Sequence, residues 1–351
     1  MKKILLTTAF AFALSVNAQV LQSENFNGLN LGAVSTDLTG ATAGQSDWLI
    51  FANNGDAPTT TTNTTSTSVE IVAAGNNSSQ GLKIESANGN KGARFMWKDG
   101  LDVAWAARIT GNTIIQLEFD FYTGPVSTSK TQTGVRIYGV DGTTTRTLAG
   151  FVFTAETKVL TGVAYLNNNG TFGTFLIGLG PNANTSIILE SNTWYRLGVA
   201  YNTTNGEITW KGPGFDNVGI APQFLAGPFP PVEVDFVCVT PDTNTAVATL
   251  TFDNYELVAT DVVALLSSEN NFASANFTIY PNPATDLINI NAGSLQFNSI
   301  QITDLNGRVV KSIIIDAVSS TQINIQDLNT GLYMMSVFTN EGVGTSKIMK
   351  N

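Results

Sequence analysis

The chain has 351 residues, of which 43% are hydrophobic and 13% are charged, and its formal net charge is -10. It contains no histidine, which excludes histidine-dependent triads, imidazole general bases and histidine-liganded zinc or copper sites. Because an acidic surface repels phosphates, we expect no nucleic-acid partner. The single cysteine, Cys238, excludes an intramolecular disulfide, and its position in a strand pattern predicts a buried thiol.

Residues 1–18 predict a signal peptide. Two lysines follow Met1, an apolar stretch runs from Ile4 to Leu14, and the small residue Ala18 suits a cleavage site. A membrane-spanning helix needs about 20 apolar residues, and this stretch is much shorter. We therefore expect an exported protein without a transmembrane segment, whose mature form begins at Gln19.

Residues 19–260 carry many short alternating segments separated by turn signals, which is typical of strands. In the clearest hairpin, Trp194–Tyr201 alternates, Asn205-Gly206 supplies a turn, and Glu207–Trp210 returns. The whole chain is longer than one hydrophobic core usually serves. We therefore predict an all-β protein whose larger unit, residues 19–260, is a two-sheet jelly-roll sandwich.

Three segments of this unit carry a family resemblance: Glu24–Gly32, Trp194-Tyr195-Arg196 with its return strand, and Phe252–Tyr255. Together they resemble concanavalin-like and laminin-G-like lectin domains. The resemblance implies a lectin-like, non-catalytic role. It also implies a structural calcium ion between the first and last strands, with Glu24 and Asp253 as oxygen ligands. The alternative is that Asp253 caps a turn.

The C-terminal region, residues 276–351, contains about seven alternating segments separated by turn signals, which predicts a small Ig-like β-sandwich. Its landmark residues follow one another in this order: Pro281, Asn282, Pro283, Gly307, Arg308, Gly331, Tyr333, Lys347 and Lys350. This set resembles the type A C-terminal sorting domain of type IX secretion substrates. Residues 261–275 lack alternation, so we predict that they form a linker.

This second resemblance implies a Gram-negative bacterium of the Bacteroidetes group and export across its outer membrane. The implied partners are the type IX secretion machinery and its sortase, which removes the domain and often attaches the mature protein to surface lipopolysaccharide. We therefore expect a protein that is secreted or attached to the outer-membrane surface.

The pair Glu118 and Asp120 is the local pattern most suggestive of catalysis. The two residues lie two apart on one predicted strand and point to the same face, as in the laminarinase-type Glu-x-Asp-x-x-Glu signature. Glycoside hydrolysis needs a pair of carboxyl groups flanking the scissile bond, but Thr123 stands where the signature has its last Glu. We therefore predict no catalytic residues and a protein that is not an enzyme.

A polar strand face is the better candidate for a site. If segment 114–122 pairs with segment 134–140, one face brings together Gln116, Glu118, Asp120, Tyr122, Arg136 and Tyr138. Aromatic rings stack on sugars, while amides, carboxylates and guanidinium groups hydrogen-bond their hydroxyls, so we predict a glycan ligand. Trp97 and Trp105 flank a turn and are further candidates. The alternative is that the polar residues are solvated and the tryptophans belong to the core.

We therefore predict a secreted or surface-attached binding protein that recognises carbohydrate or another surface polymer. One alternative is a carbohydrate-active enzyme on the same fold. It would be a glycoside hydrolase, or a polysaccharide lyase in which Tyr138 is the base and Arg136 and Gln116 neutralise a uronate. The other alternative is a structural surface protein without a small ligand.

Overall fold

The structure is a computed structural model. It describes residues 18–54, 63–89, 91–180, 185–266, 278–291, 297–304, 308–339 and 342–351. Residues 1–17 of the predicted signal peptide and residues 267–275 of the predicted linker lie outside the described residues. The chain divides into two compact units, of which the first ends at Leu265 and the second begins at Leu266.

The first unit consists almost entirely of strands. They are β1 Gln19–Glu24, β2 Gly32–Ala33, β3 Leu49–Asn53, β4 Val69–Val72, β5 Gly81–Glu85, β6 Ala93–Trp97, β7 Ile114–Tyr122, β8 Gln132–Asp141, β9 Thr144–Thr154, β10 Val159–Asn168, β11 Thr171–Gly178, β12 Ile187–Ile188, β13 Trp194–Asn202, β14 Ile208–Gly212, β15 Phe215–Gly219, β16 Pro231–Val239 and β17 Thr249–Thr260. One α-helix, α1, spans Leu101–Ala106, and short 3-10 turns span Gln45–Asp47, Ser66–Ser68, Asn76–Ser78 and Pro222–Phe224. In the described ranges, the helices are too short and too polar to cross a membrane.

These strands form two antiparallel sheets in the part of the chain that the structure describes. The nine-stranded sheet has the order β15-β14-β13-β7-β17-β5-β4-β2, and β1 also pairs with β17. The eight-stranded sheet has the order β11-β10-β9-β8-β16-β6-β3, and β12 also pairs with β10. The two sheets pack face to face, so the predicted two-sheet jelly-roll sandwich is confirmed.

Aromatic rings from both sheets fill the space between them. The ring centroids of Phe121 on β7 and Phe153 on β9 are 4.9 Å apart, and those of Phe236 on β16 and Phe252 on β17 are 5.2 Å apart. Because successive side chains of a strand point to opposite faces, the residues that alternate with these rings point away from the core. The core therefore determines which polar side chains reach the outer face of each sheet.

Several local predictions are also confirmed. β13 and β14 form the predicted hairpin, with Ala200 opposite Thr209 and Tyr201 opposite Ile208. Cys238 is buried, and its burial raises the pKa of the thiol to about 12. The first and last strands of the unit, β1 and β17, pair with each other.

The second unit is a smaller β-sandwich. Its strands are β18 Thr278–Tyr280, β19 Leu287–Asn291, β20 Phe297–Thr303, β21 Val309–Val318, β22 Ser320–Asn324, β23 Gly331–Thr339 and β24 Gly342–Lys350. Within its described residues, one sheet has the order β18-β19-β22 and the other the order β21-β20-β23-β24. Alternate residues such as Ile288, Ile302 and Met335 are buried between the sheets. The predicted Ig-like sandwich is therefore confirmed.

Replacing Phe236 by alanine should strongly destabilise the first unit, because its ring contacts the rings of Phe26, Trp48, Phe252 and Tyr255. We expect Phe236→Ala to lower the free energy of unfolding by about 3–5 kcal/mol. All five tryptophans lie in the first unit, so denaturant unfolding followed by tryptophan fluorescence reports on that unit alone.

The matched control is Phe172→Ala, because the ring of Phe172 is 52% exposed. This control should change the free energy of unfolding by no more than about 0.5 kcal/mol. Equal unfolding midpoints for the two variants would contradict the assignment of Phe236 to the centre of the core.

Candidate functional site

Two neighbouring strands, β8 and β16, bring four polar side chains together on the outer face of the eight-stranded sheet. Asp235 lies opposite Arg136, and Glu233 lies opposite Tyr138 in the antiparallel register. The residues that alternate with them on both strands belong to the core. The four side chains therefore point away from the nine-stranded sheet.

Trp97 on β6 extends this group to the next strand, where it lies opposite Asp235. Its indole is half-buried, and its Nε1 donates a hydrogen bond of 3.2 Å to Asp99 Oδ1. The loop at Gly40 approaches the ring so closely that a Cβ there would lie 2.4 Å from Trp97 Cη2, so this contact needs a glycine. We name the combined group the Arg136 cluster; its members are Trp97, Arg136, Tyr138, Glu233 and Asp235.

The two carboxyl groups of the Arg136 cluster lie close together, and both have raised pKa values. Asp235 is 8% exposed, and its burial, together with the nearby charge of Glu233, raises the pKa of Asp235 to about 8. Burial also raises the pKa of Glu233, which is hydrogen-bonded to Asp235. The charge of Arg136 acts in the opposite direction on Asp235 but does not compensate for burial. Burial therefore favours the protonated form of Asp235, which donates its hydrogen bond to Glu233.

Tyr138 is a neutral phenol, because burial raises the pKa of its hydroxyl. Its hydroxyl is hydrogen-bonded to the side chains of Arg136 and Thr147. Two buried polar atoms of the cluster, Arg136 Nε and Asp235 Oδ1, have no hydrogen-bond partner among the described residues. Because buried polar atoms are normally paired, these two mark the cluster as a place where hydrogen-bonding capacity is left over.

Glu233 and Asp235 are not among the residues predicted from the sequence. Their strand carries an apolar row that includes Phe236 and Cys238, and this row predicts a buried strand. The sequence does contain a signal for them: Glu233 and Asp235 alternate with the apolar residues, so both carboxylates lie on the face opposite the apolar row. A Glu-x-Asp pattern therefore occurs twice in this unit, at 118–120 and at 233–235.

The predicted pairing of segment 114–122 with segment 134–140 is wrong. β7 pairs with β13 and β17 in the nine-stranded sheet, whereas β8 lies in the eight-stranded sheet. Segments that are adjacent in sequence lie on opposite sheets because the connection between them crosses from one sheet to the other. The six residues predicted for one face are therefore divided, and Arg136 and Tyr138 lie apart from Gln116, Glu118, Asp120 and Tyr122.

Glu118 and Asp120 are held by partners on the outer face of the nine-stranded sheet. Arg196 Nη1 lies 3.2 Å from Asp120 Oδ1, and Arg196 Nη2 lies 3.4 Å from Glu118 Oε2. Asp120 Oδ2 also accepts hydrogen bonds from the side-chain amides of Asn76, at 3.0 Å, and Asn254, at 2.7 Å. Both carboxylates are almost fully buried, so these contacts stabilise the fold rather than leave oxygens for a ligand.

The other two members of this row are also engaged. Gln116 Nε2 donates to Glu118 Oε1 at 3.1 Å, and Gln116 Oε1 accepts the N–H of Ala264 at 3.0 Å. The hydroxyl of Tyr122 donates to Asn192 Oδ1 at 3.2 Å. We therefore exclude this row from the candidate site.

Trp105 belongs to the core rather than to a loop-borne site. It lies on α1, is 5% exposed, and carries the guanidinium of Arg108 over its ring at 4.1 Å. Of the two tryptophans predicted as candidates, Trp97 alone lies on the face of the Arg136 cluster.

The two carboxylates implied as calcium ligands do not fit a cation site. Asp253 Oδ2 accepts the N–H of Asn76 at 2.8 Å and the hydroxyl of Ser79 at 2.6 Å. Glu24 Oε1 accepts the N–H of Phe26 at 3.1 Å. Oxygens of both carboxylates are thus engaged by donors of the protein, and in the described residues no three acidic or cysteine side chains gather as metal ligands. Burial raises the pKa of Asp253 to about 6, although the hydrogen bonds from Ser79, Asn254 and Asn76 act in the opposite direction.

The predicted sorting residues hold the two ends of the second unit together. Asn282 Nδ2 donates to the carbonyl of Lys347 at 2.8 Å, and Asn282 Oδ1 accepts the N–H of Met349 at 2.9 Å. Tyr333 is buried and donates to the carbonyl of Asn329 at 2.8 Å. These contacts give the tail its local geometry, whereas Pro281 and Pro283 are exposed.

The remaining sorting residues are arranged along the strands and turns of the same unit. Arg308 pairs with Asp304 at 3.2 Å, Gly331 begins β23, and Lys350 is buried at the end of β24. Gly307 lies outside the described residues.

The sequence of residues 278–351 matches the family model described as a secretion system C-terminal sorting domain. These residues are a type IX sorting domain. The sorting domain confirms the predicted localisation: the protein is exported and acts at the cell surface or in the extracellular space. No curated protein matches the chain in sequence.

Several solved structures are similar to this chain. β-Agarase A from Zobellia galactanivorans has 10% identity over 71% of this chain and 94% of its own, with a TM-score of 0.40. Alginate lyase A1-II', a member of polysaccharide lyase family-7, has 13% identity over 56% and 84%, with a TM-score of 0.39. The cellulose-induced protein Cip1 has 14% identity over 63% and 95%, with a TM-score of 0.40. Identities of this size identify neither a ligand nor a reaction for this chain.

Replacing Asp235 by asparagine should change how stability depends on pH. Its pKa is about 8 in the folded protein and about 3.8 in an unfolded chain. Between these values the folded state binds a proton that the unfolded state lacks, so this group's contribution to the free energy of unfolding falls as pH rises. The slope is at most about 1.4 kcal/mol per pH unit.

We expect Asp235→Asn to gain stability relative to the unmodified protein as pH rises from about 5 to about 8. Denaturant midpoints measured across this range test this expectation. The control is Asp216→Asn, whose carboxylate is 65% exposed and whose stability profile should run parallel to that of the unmodified protein. A parallel profile for Asp235→Asn would show that Asp235 is ionised in the fold.

Replacing Arg196 by methionine should destabilise the first unit, because it leaves the buried carboxylates Glu118 and Asp120 without their cation. We expect a loss of about 3–5 kcal/mol in the free energy of unfolding. Lys91→Met is the control, because the pair of Lys91 with Asp242 is largely exposed and should contribute about 0–1 kcal/mol. Equal losses would contradict a structural role for Glu118 and Asp120.

Proposed function

We propose that this exported protein binds carbohydrate through the Arg136 cluster on the outer face of the eight-stranded sheet. The observation that carries the proposal is the convergence of Trp97, Arg136, Tyr138, Glu233 and Asp235 from three adjacent strands. The cluster supplies a guanidinium donor, the unpartnered Asp235 Oδ1 as an acceptor, a phenol and a half-buried indole. Hydroxyl groups of a sugar need this mixture of donors and acceptors, and an indole stacks on the apolar face of a sugar ring.

The position of the cluster supports the same proposal. Its side chains lie on strands β6, β8 and β16, which are interior strands of the sheet, so their backbones are fixed by neighbours on both sides. A rigid polar face loses little entropy when it binds a ligand. Arg136 Nε and Asp235 Oδ1, which lack protein partners among the described residues, supply hydrogen-bonding capacity there.

A carbohydrate-active enzyme is the second candidate, and the protonated Asp235 beside Glu233 is the observation that favours it. A raised carboxyl pKa is typical of a general acid. However, Glu233 and Asp235 are hydrogen-bonded to each other, whereas the two carboxyl groups of a glycoside hydrolase stand at least about 5 Å apart to flank the bond. A lyase base must lose its proton, and burial raises the pKa of Tyr138. Both arguments rank binding above catalysis.

The proposal predicts that binding depends on the Arg136 cluster. The mature chain, residues 19–351, is screened on a glycan array, and the double variant Arg136→Ala/Tyr138→Phe is then titrated with the glycan that binds. We expect affinity to fall by about thirtyfold or more, because buried Arg and Tyr side chains commonly dominate binding energy. The control is Tyr122→Phe on the other sheet, which should leave affinity unchanged.

Unchanged affinity in the double variant would refute the proposed site, and an array without any saturable hit would favour the structural surface protein. The enzyme is tested in the same experiment by assaying each hit for released sugar. If Asp235→Asn abolishes this release but still binds the glycan, the result would establish catalysis at the cluster.

A further inference from the structure

A second cavity lies at the side of the first unit, away from the Arg136 cluster. It is a cavity of about 700 Å³, partly open to solvent, between β11, the last strand of the eight-stranded sheet, and β15, the last strand of the nine-stranded sheet. The turn Pro222–Phe224 borders it, and an isolated bridge joins Leu166 to Leu225 nearby.

The side chains that line this cavity are almost all apolar. They come from Leu166, Ile177, Leu179, Phe215, Val218 and Phe224. Leu166, Leu179 and Phe215 are buried members of the main core, while Ile177 and Val218 are partly buried residues packed against it. The inner wall of the cavity is therefore the hydrophobic core itself.

The one charged residue in the lining, Asp216, does not make the cavity polar. Its carboxylate is 65% exposed and lies 3.3 Å from Lys211 Nζ, so it is directed to solvent and paired there. Glycines such as Gly214 and Gly219 form part of the wall, and a Cβ at either would meet no atom closer than 3.5 Å. Among the described lining residues, the cavity thus offers a ligand neither a cation nor an unpaired anion.

We propose that this cavity is a second binding site, which takes an uncharged hydrocarbon group. Small-molecule sites commonly have volumes of about 300–1,000 Å³ and mostly apolar walls, and this cavity fits both features. A saccharide is disfavoured because its many hydroxyls would lose water at a wall whose surface is mostly apolar. Among the described lining residues, a carboxylate ligand finds no cation, and an ammonium finds only Asp216, which is paired with Lys211.

The test uses the mature chain, residues 19–351, and the neutral fluorescent probe N-phenyl-1-naphthylamine. We expect saturable binding of one probe molecule per chain, with increased fluorescence and displacement by 1-decanol. Ile177→Asn places an amide in the lining and should weaken binding by about tenfold or more. Ala221→Trp places a large side chain at the rim, reduces the volume of the cavity and should also weaken binding. Because Ala221 is exposed, this second variant tests the site even if Ile177→Asn fails to fold.

The matched control is Leu176→Asn, on the same strand as Ile177 but with a 57% exposed side chain outside the lining. It should leave probe binding unchanged, as should Arg136→Ala in the other site. Absence of saturable binding by the unmodified chain would overturn the proposal. Equal binding by Ile177→Asn, Ala221→Trp and Leu176→Asn would also overturn it, since the probe would then adsorb elsewhere.

Discussion

The packing of aromatic rings between the two sheets is the constraint on which the rest of the first unit depends. Phe236 lies among rings from β17 and from the chain that precedes β3, and its burial fixes the orientation of β16. Because side chains alternate along a strand, this orientation sends Asp235 to the opposite face. The same constraint acts on β7, where Phe119 and Phe121 face the core and Asp120 faces outward.

Two similar carboxylate pairs therefore reach the outer faces of the two sheets, and their surroundings differ. On the nine-stranded sheet, Arg196 forms ion pairs with Glu118 and Asp120. Two asparagine side chains also donate hydrogen bonds to Asp120. On the eight-stranded sheet, Arg136 opposes Asp235 without forming a close ion pair, and burial raises the carboxyl pKa. The first arrangement stabilises the fold, whereas the second keeps a protonated acid and a guanidinium close together on a rigid face.

The sequence predicted much of the fold but only part of the site. Alternation and turn residues identified the hairpin of β13 and β14, the buried Cys238 and the sandwich of the second unit, because these features depend on neighbours in the chain. The pairing of β7 depends on which sheet the chain enters after Tyr122, and local pattern does not determine that. Asp235 was missed because an acidic residue beside a strong apolar row resembles an ordinary solvated position until its burial is known.

The most direct test of the account is to observe the five indole N–H signals by NMR while the mature protein is titrated with a mixture of oligosaccharides. Trp97 and Trp194 lie on different sheets, and the other three tryptophans are buried. The account predicts that the Trp97 signal shifts in a saturable way while the Trp194 signal stays in place. A saturable shift confined to Trp194 would place the ligand on the nine-stranded sheet and contradict the account.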